Sequence, residues 1–402
     1  VLIIRFTGFV ITETTDPANL VGYYAPAKML LEGEPARFFY DNARYNAYVV
    51  RFEPDIRETF FVNPPTTALL FVPLAWLPYT QARALWAVAN GIAFILMLWW
   101  LARQLHFSGI WLPLLVLVGL LYHPIYVNID LGQVYILLLG LELLVWHGYR
   151  QVKEQLAGIS LGFMLIFKLA GLLLWPLLLI QKRWQIMIWG GGTAVLIASL
   201  SLPRLGTDAW QQQAKLFLQS PGDPILMVTA YQSWNSLSKR LFMPDAQWNP
   251  SPLFQYPAAG EWLHSLGLVV LLAATLYVAF QATRHIAADA KVVTNDLLFA
   301  LFIILGMIIS PATLDYHYPL LVLPLAILVA YAREQRHYLL WLVLLAAFMM
   351  IATDLPYRSP RLFDGVWAVL AYPKLYGTIL LWGVAMWAVW PQVRREDAYA
   401  QT

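Results

Sequence analysis

Runs of apolar residues recur along almost the whole chain, at 1–11, 64–79, 81–102, 110–124, 132–147, 156–181, 184–202, 260–283, 296–310, 317–332, 338–352 and 367–390. A helix of about 20 such residues crosses the ~30 Å hydrocarbon layer of a bilayer with every backbone polar group bonded inside it. Only 12% of the 402 residues are charged, against about 25% in a soluble domain. The pattern predicts an all-α polytopic membrane protein forming one integral domain over 1–402. The numbering opens at Val1, inside the first apolar run and without Met, so this span is expected to begin upstream and is not read as a signal peptide.

Lys and Arg concentrate in cytoplasmic loops of membrane proteins. Here they stand in compact loops at Arg103, Arg150/Lys153, Lys182/Arg183, Arg284/Lys291, Arg333/Arg336 and Arg394/Arg395. The connections 12–63, 203–259 and 353–366 then fall outside. Two runs must bend to keep this order. Run 156–181 reads as two short helices meeting near Lys168-Leu-Ala-Gly171, and the proline-rich 64–79 reads as a short re-entrant or interfacial piece. With both bends, about twelve membrane helices result. No internal repeat is visible, and both breaks fall in the first half, unlike the matched breaks of many transporters.

The first outer stretch carries a carboxylate, Asp16, followed by Pro17 and by Tyr23, Tyr24, Ala27, Leu30 and Leu31 at helical spacing. This predicts an amphipathic helix from Asp16 to about Gly33, lying on the membrane surface. Asp16 suits its N-cap and Pro17 its first turn, so a capping role for Asp16 stands beside a functional one. Lys168 lies in an apolar run, which makes it either a functional charge or a side chain snorkelling to the interface. His317 sits at the outer mouth of a helix pair, as a binding or a structural residue. Gln133 opens a span and either binds or caps. Glu142 lies inside that span, where helix–helix hydrogen bonding is the simple reading.

Other chemistries lack their signatures. Cysteine is absent, which excludes disulfides and thiolate metal sites. No phosphate-cradling glycine loop, no nucleophile elbow and no paired-histidine metal motif is present. No metal and no cofactor is therefore expected. The 18 Trp and 21 Tyr suit interfacial belts, not nucleic-acid binding.

Six motifs in order resemble glycosyltransferase family 87, the polyprenyl-phosphate-mannose-dependent mannosyltransferases of the GT-C superfamily. They are Asp16…Tyr23-Tyr24-Ala-Pro-Ala-Lys-Met-Leu-Leu-Glu-Gly33, then Asn63-Pro64-Pro65 through Leu77-Pro78, then Gly132-Gln133-Val134-Tyr135. Ala157-Gly158…Lys168, Tyr231-Gln232-Ser233-Trp-Asn235…Arg240 and Ser310-Pro311…His317-Tyr318 follow. Tyr135 and Tyr231 stand where that family usually has Asn, and Asn63 where it often has an aromatic residue.

The resemblance implies a GT-C type bundle and a polyprenyl-phosphate-linked sugar donor. It implies inverting transfer to a lipid or glycan acceptor at the extracytoplasmic face of the plasma (inner) membrane, as in cell-envelope synthesis. It makes Asp16 the catalytic base. His317, Lys168 and Arg240 would hold the donor phosphate, with Tyr24, Asn63, Gln133 and Gln232 as further donor contacts. Two other classes stay open on the residues alone. One is a transporter or flippase using Lys168 and Glu142 as buried relays, and the other a catalytically silent membrane scaffold.

Overall fold

The computed structural model describes residues 20–60, 62–284, 291–335 and 337–399, the last nine as backbone only. Its regular structure is helical, apart from one isolated bridge between Asp245 and Asn249. In chain order the helices are α1 (Val21–Leu31), α2 (Asn42–Val49), α3 (Thr66–Ala75), α4 (Tyr79–Gln104), α5 (Trp111–Leu120), α6 (His123–Asp130), α7 (Tyr135–Arg150) and α8 (Glu154–Lys168). There follow α9 (Leu174–Ile180), α10 (Trp184–Gln219), α11 (Trp234–Phe242), α12 (Pro257–Arg284), α13 (Lys291–Ile309), α14 (Val322–Gln335), α15 (Tyr338–Ala352) and α16 (Pro373–Tyr399).

Five stretches are long and apolar enough to cross a membrane: Tyr79–Gln104, Trp184–Gly222, Pro257–Arg284, Lys291–Ile309 and Asp315–Gln335. Two bent pairs bring this to seven if each is one span: α5 with α6, at 46°, and Gly365–Ala371 with the first part of α16, at 55°. The expected twelve crossings are not reached among the described residues. The reason is length. At 1.5 Å per residue a 16-residue helix such as α7 covers only about 24 Å, and α3, α8 and α15 are shorter still. The run 1–11 lies outside the described residues.

The anticipated break after Lys168 is present. There α8 stops, Leu169 turns left-handed (φ 52°), Gly171 has φ 76°, and α9 starts only at Leu174. A left-handed non-glycine residue costs roughly 1–2 kcal/mol, so this stop is held by bonds from elsewhere. The hydroxyls of Thr66 and Thr67, in the first turn of α3, donate to the carbonyls of Ile166 and Phe167. These belong to the last turn of α8, whose carbonyls have no partners within the helix. A second break falls at Gly206 (φ 72°, ψ 159°), where α10 changes direction.

The chain divides into two compact units. The first comprises 1–100, 125–172 and 185–220, and the second 101–124, 173–184 and 221–402. In the first, α1 packs against α2 and α3, and α7 packs along α8. Helix α1 corrects the expectation of a surface helix. It begins at Val21, and Val21, Tyr23, Tyr24, Ala25, Pro26, Ala27, Met29 and Leu30 are all buried, so most of its circumference is covered by protein. In the second unit, α13 lies at the centre with most of its side chains buried, touching α12, α14 and α16.

Glu142, on α7, is fully buried, and neither carboxyl oxygen has a hydrogen-bond partner. An unpaired charge there would cost several kcal/mol. The Glu142→Gln variant, which keeps the shape and removes the charge, is expected to unfold at the same temperature as the wild type or higher. Thermal unfolding in detergent measures this, and a loss of several degrees would show that the carboxylate is needed.

Candidate active site

In the first unit the sequence folds so that three chain segments converge beside the α8 stop. Gly132 is the pivot of one. Its φ is +56°, and a Cβ placed on it would lie 2.7 Å from the backbone of Leu20. Only glycine allows both that conformation and that approach. Its carbonyl accepts the Trp86 indole N–H at 3.0 Å, which fixes the turn between α6 and α7. Gln133 therefore stands beside the start of α1, and its side-chain oxygen accepts the Tyr23 hydroxyl at 2.5 Å. The Tyr23 ring stacks on Phe71 of α3, 4.8 Å between centroids.

Lys168 completes this group. Its Nζ lies 5.4 Å from the centre of the Tyr23 ring and 5.4 Å from that of Tyr135. Among the described residues no carboxylate lies within ion-pair distance of it. The nearest compensation is the negative faces of two rings, worth about 0.5–2 kcal/mol each. Asn63, in the turn before α3, is buried with its side-chain oxygen unpartnered, and its carbonyl accepts the Tyr40 hydroxyl at 2.9 Å. Tyr24 faces away from Lys168's partners. It is buried between Phe52 and Tyr79, and its hydroxyl donates to the Leu77 carbonyl at 2.7 Å.

Glu58 also belongs to this group, and sequence reasoning missed it. Asn46 of α2 grips its backbone twice, accepting from the Glu58 N–H and donating to its carbonyl, both at 3.0 Å. The carboxyl carbon comes within 3.7 Å of where a Cβ on Gly22 would stand, one residue before Tyr23. Burial pushes the Glu58 carboxyl above the usual carboxylate range, and the Thr59 N–H and the Lys168 charge offset that only in part. No motif or spacing marks this residue in the sequence.

The other candidates lie in the second unit. Gln232 is fully buried and its amide is saturated. It donates to the carbonyls of Thr229 and Ala371, each at 2.7 Å, and accepts the Lys374 backbone N–H at 3.1 Å. The Arg240 guanidinium is also buried, donating to the carbonyls of Trp248, Met227 and Phe363. His317 is partly buried beside Tyr316, and its Nδ1 accepts the Leu314 N–H at 2.7 Å. In the neutral ring this places the proton on Nε2. Asp16 lies outside the described residues.

The second unit also holds an ionic cluster that the sequence reading did not anticipate. Asp315 is 4% exposed. It accepts from the Tyr357 hydroxyl and, at 3.2 Å, from Arg358, while Lys374 Nζ lies 3.3 Å from its other oxygen. Lys374 is fully buried and also donates to the Ile351 carbonyl at 2.9 Å. Lys374 carries the same signal as Lys168, a lone cation in an apolar run, whereas its partner 59 positions away (374 − 315) carries none.

Long apolar helices with charged side chains in buried, aromatic-lined positions define an integral membrane protein with a polar site. A family model, Glycosyltransferase family 87, matches residues 61–311. That is more than half of the chain, which therefore belongs to glycosyltransferase family 87. No curated protein and no solved structure matches it. The matched segment contains Asn63, Gln133, Lys168, Gln232 and Arg240, while Asp16, Tyr24, Glu58 and His317 lie outside it.

Removing the carboxylate by Asp315→Ala would leave the Lys374 ammonium buried and unpaired, and is expected to cost about 3–5 kcal/mol. Arg358→Ala removes a half-exposed partner and should cost at most about 1 kcal/mol. Denaturant unfolding of the two variants side by side measures the difference, and equal costs would mean that Lys374 does not depend on Asp315.

Proposed function

We propose that this glycosyltransferase moves a hexose, in the simplest case mannose, from a polyprenyl-phosphate donor to a lipid or glycan acceptor on the extracytoplasmic face, with inversion. The observation that carries this reading is the Lys168 environment. A cation at a helix stop, flanked by two aromatic rings and with no ion-pair carboxylate among the described residues, gains most from an anion supplied by a ligand. Gln133 and Asn63 bring an amide each into the same unit, suited to sugar hydroxyls.

Asp16 is the base in this reading. The described chain begins at Leu20, four residues later, with Leu20 packed on Gly132. Its reference pKa of about 3.9 leaves a solvated aspartate ionised at neutral pH. Asp16 takes the proton of the acceptor hydroxyl while that oxygen bonds to the anomeric carbon. The bond from that carbon to the phosphate oxygen breaks, and polyprenyl phosphate departs. A phosphate leaves without protonation, so one base plus cations for the developing charge suffice, where a glycosidase needs two carboxyl groups.

Gln232, whose amide is fully bonded, and Arg240, whose terminal nitrogens donate to neighbouring carbonyls, act by holding their own loops in place. They are positioning residues in this scheme.

The deciding experiment is sugar transfer in liposomes from radiolabelled polyprenyl-phosphate sugars to native membrane lipids. Asp16→Asn is expected to lower turnover by at least about 10²-fold, with donor binding intact. Lys168→Ala should instead weaken donor binding. Full activity of Asp16→Asn removes it as the base, and unchanged donor affinity in Lys168→Ala removes the phosphate assignment.

A further inference from the structure

A glycosyltransferase that binds an anionic donor with one partly buried cation must also manage any carboxylate close to that cation. Glu58 is such a carboxylate. It interacts electrostatically with Lys168, and it is not free to swing away. The two Asn46 hydrogen bonds fix its backbone, and its carboxyl rests against Gly22, next to the Tyr23 ring that faces Lys168. An ionised Glu58 offsets part of the Lys168 charge while the site is empty. The same charge repels a phosphate that comes to lie on Lys168.

We propose that Glu58 is a proton-linked positioning residue of the donor site, taking up one proton when the donor phosphate binds at Lys168 and releasing it when the phosphate leaves. The balance is simple. An anion enters, a carboxylate facing the same cation becomes a neutral acid, and the proton comes from solvent. The inference rests on the reading of Lys168 as the phosphate residue.

The local charges favour this exchange. Burial already raises the Glu58 carboxyl above the ordinary range, and its proton affinity rises further once a second negative charge lies near. Few other titratable groups face it. From α2 there is Tyr45, whose hydroxyl donates to the Gly22 carbonyl and whose buried phenol is pushed well above its usual range, so it stays neutral. From α8 there is Lys168 itself. Lys168 is faced in turn by Tyr23 from α1 and Tyr135 from α7.

The sign follows from linkage. A site that takes up protons on binding holds its ligand more tightly at low pH. Affinity then falls as pH rises through the range in which Glu58 ionises in the empty site, by up to about tenfold per pH unit for one proton. The test is calorimetric titration of the full-length protein in nanodiscs with a short prenyl phosphodiester. The single charge of this probe is constant across the range. Each titration is run in two buffers of different ionisation heat, between pH 5.5 and 8.5. Wild type is expected to take up close to one proton at some pH in that interval. Glu58→Gln, which keeps the Asn46 grip on the backbone, should take up none and bind with a flat pH dependence. Wild-type binding with no proton uptake overturns the proposal without any variant. Uptake that persists in Glu58→Gln overturns it as well, since the proton then goes elsewhere. Lys168→Ala separates the two readings. Unchanged affinity there sinks the phosphate assignment and this proposal together, whereas Lys168-dependent binding without Glu58-dependent uptake sinks the role of Glu58 alone.

Discussion

The carbonyls at the end of a helix have no partners within it, and in an apolar setting each must find one. In this chain that requirement is met at the C-terminus of α8 by two threonine hydroxyls from α3, and the rest of the first unit is arranged around it. Thr66 and Thr67 can reach Ile166 and Phe167 because Pro64-Pro65 starts α3 at that point. With α3 in place, Phe71 lies under Tyr23, and Tyr23 lies beside Lys168. The left-handed residue at Leu169 then turns the chain away immediately after the lysine. A residue that would otherwise stand mid-span becomes the last residue of a helix, next to the turn at Gln133. The break and the site are one construction.

The two buried lysines show how partners decide between structure and chemistry. Lys374 has a carboxylate at 3.3 Å, a backbone carbonyl at 2.9 Å and no exposure. Its charge is balanced, and a ligand would have to displace Asp315 to reach it. Lys168 has two aromatic faces at 5.4 Å and a carboxyl, Glu58, that interacts from beyond ion-pair distance. Cation–π attraction of about 0.5–2 kcal/mol per ring falls short of the several kcal/mol that desolvating an ammonium costs. That imbalance, and not the presence of a lysine in an apolar run, is why the donor phosphate is assigned to Lys168.

Most of the fold class was legible in the sequence, and so was the break after Lys168, where a charge and Gly171 interrupt an apolar run too long for one simple crossing. Helix α1 was legible as a helix but not as a buried one. Apolar residues facing lipid and apolar residues facing protein look alike in a sequence, so the spacing of Tyr23, Ala27 and Leu30 could not say what covers them. The twelve expected crossings are not all matched among the described residues for a related reason. Runs such as 132–147 and 338–352 are apolar enough to span but form helices of only 16 and 15 residues. The Asp315–Lys374 pair and the Glu58–Lys168 pair were out of reach altogether. Each joins residues more than 50 positions apart, and only tertiary packing brings them together. Gln232 and Arg240 show a further limit. Polar residues within motifs invite ligand roles, and a sequence does not show that the Gln232 amide and the terminal nitrogens of Arg240 bond to carbonyls of their own unit.

Charge bookkeeping through the reaction links these features to catalysis. In the proposed scheme the donor enters as a phosphodiester with one negative charge, and the departing polyprenyl phosphate is a monoester that tends towards two. Negative charge therefore grows on the leaving oxygen as the sugar bond breaks. A cation already in place at that oxygen binds the transition state better than the ground state, which is the condition for lowering the barrier. An ionised carboxylate beside that cation would cancel much of the gain, whereas a neutral acid would not. Under the proposed scheme Asp16 and Glu58 are thus asked for opposite things: the first must be ionised to accept the hydroxyl proton, and the second must be neutral while the phosphate leaves. The sequence region before residue 61 supplies both carboxyl groups and the helix that separates them, whereas the family match supplies the cation. In that scheme the partial burial of Glu58, which favours its neutral form, is what sets it apart from a solvated aspartate such as the base requires.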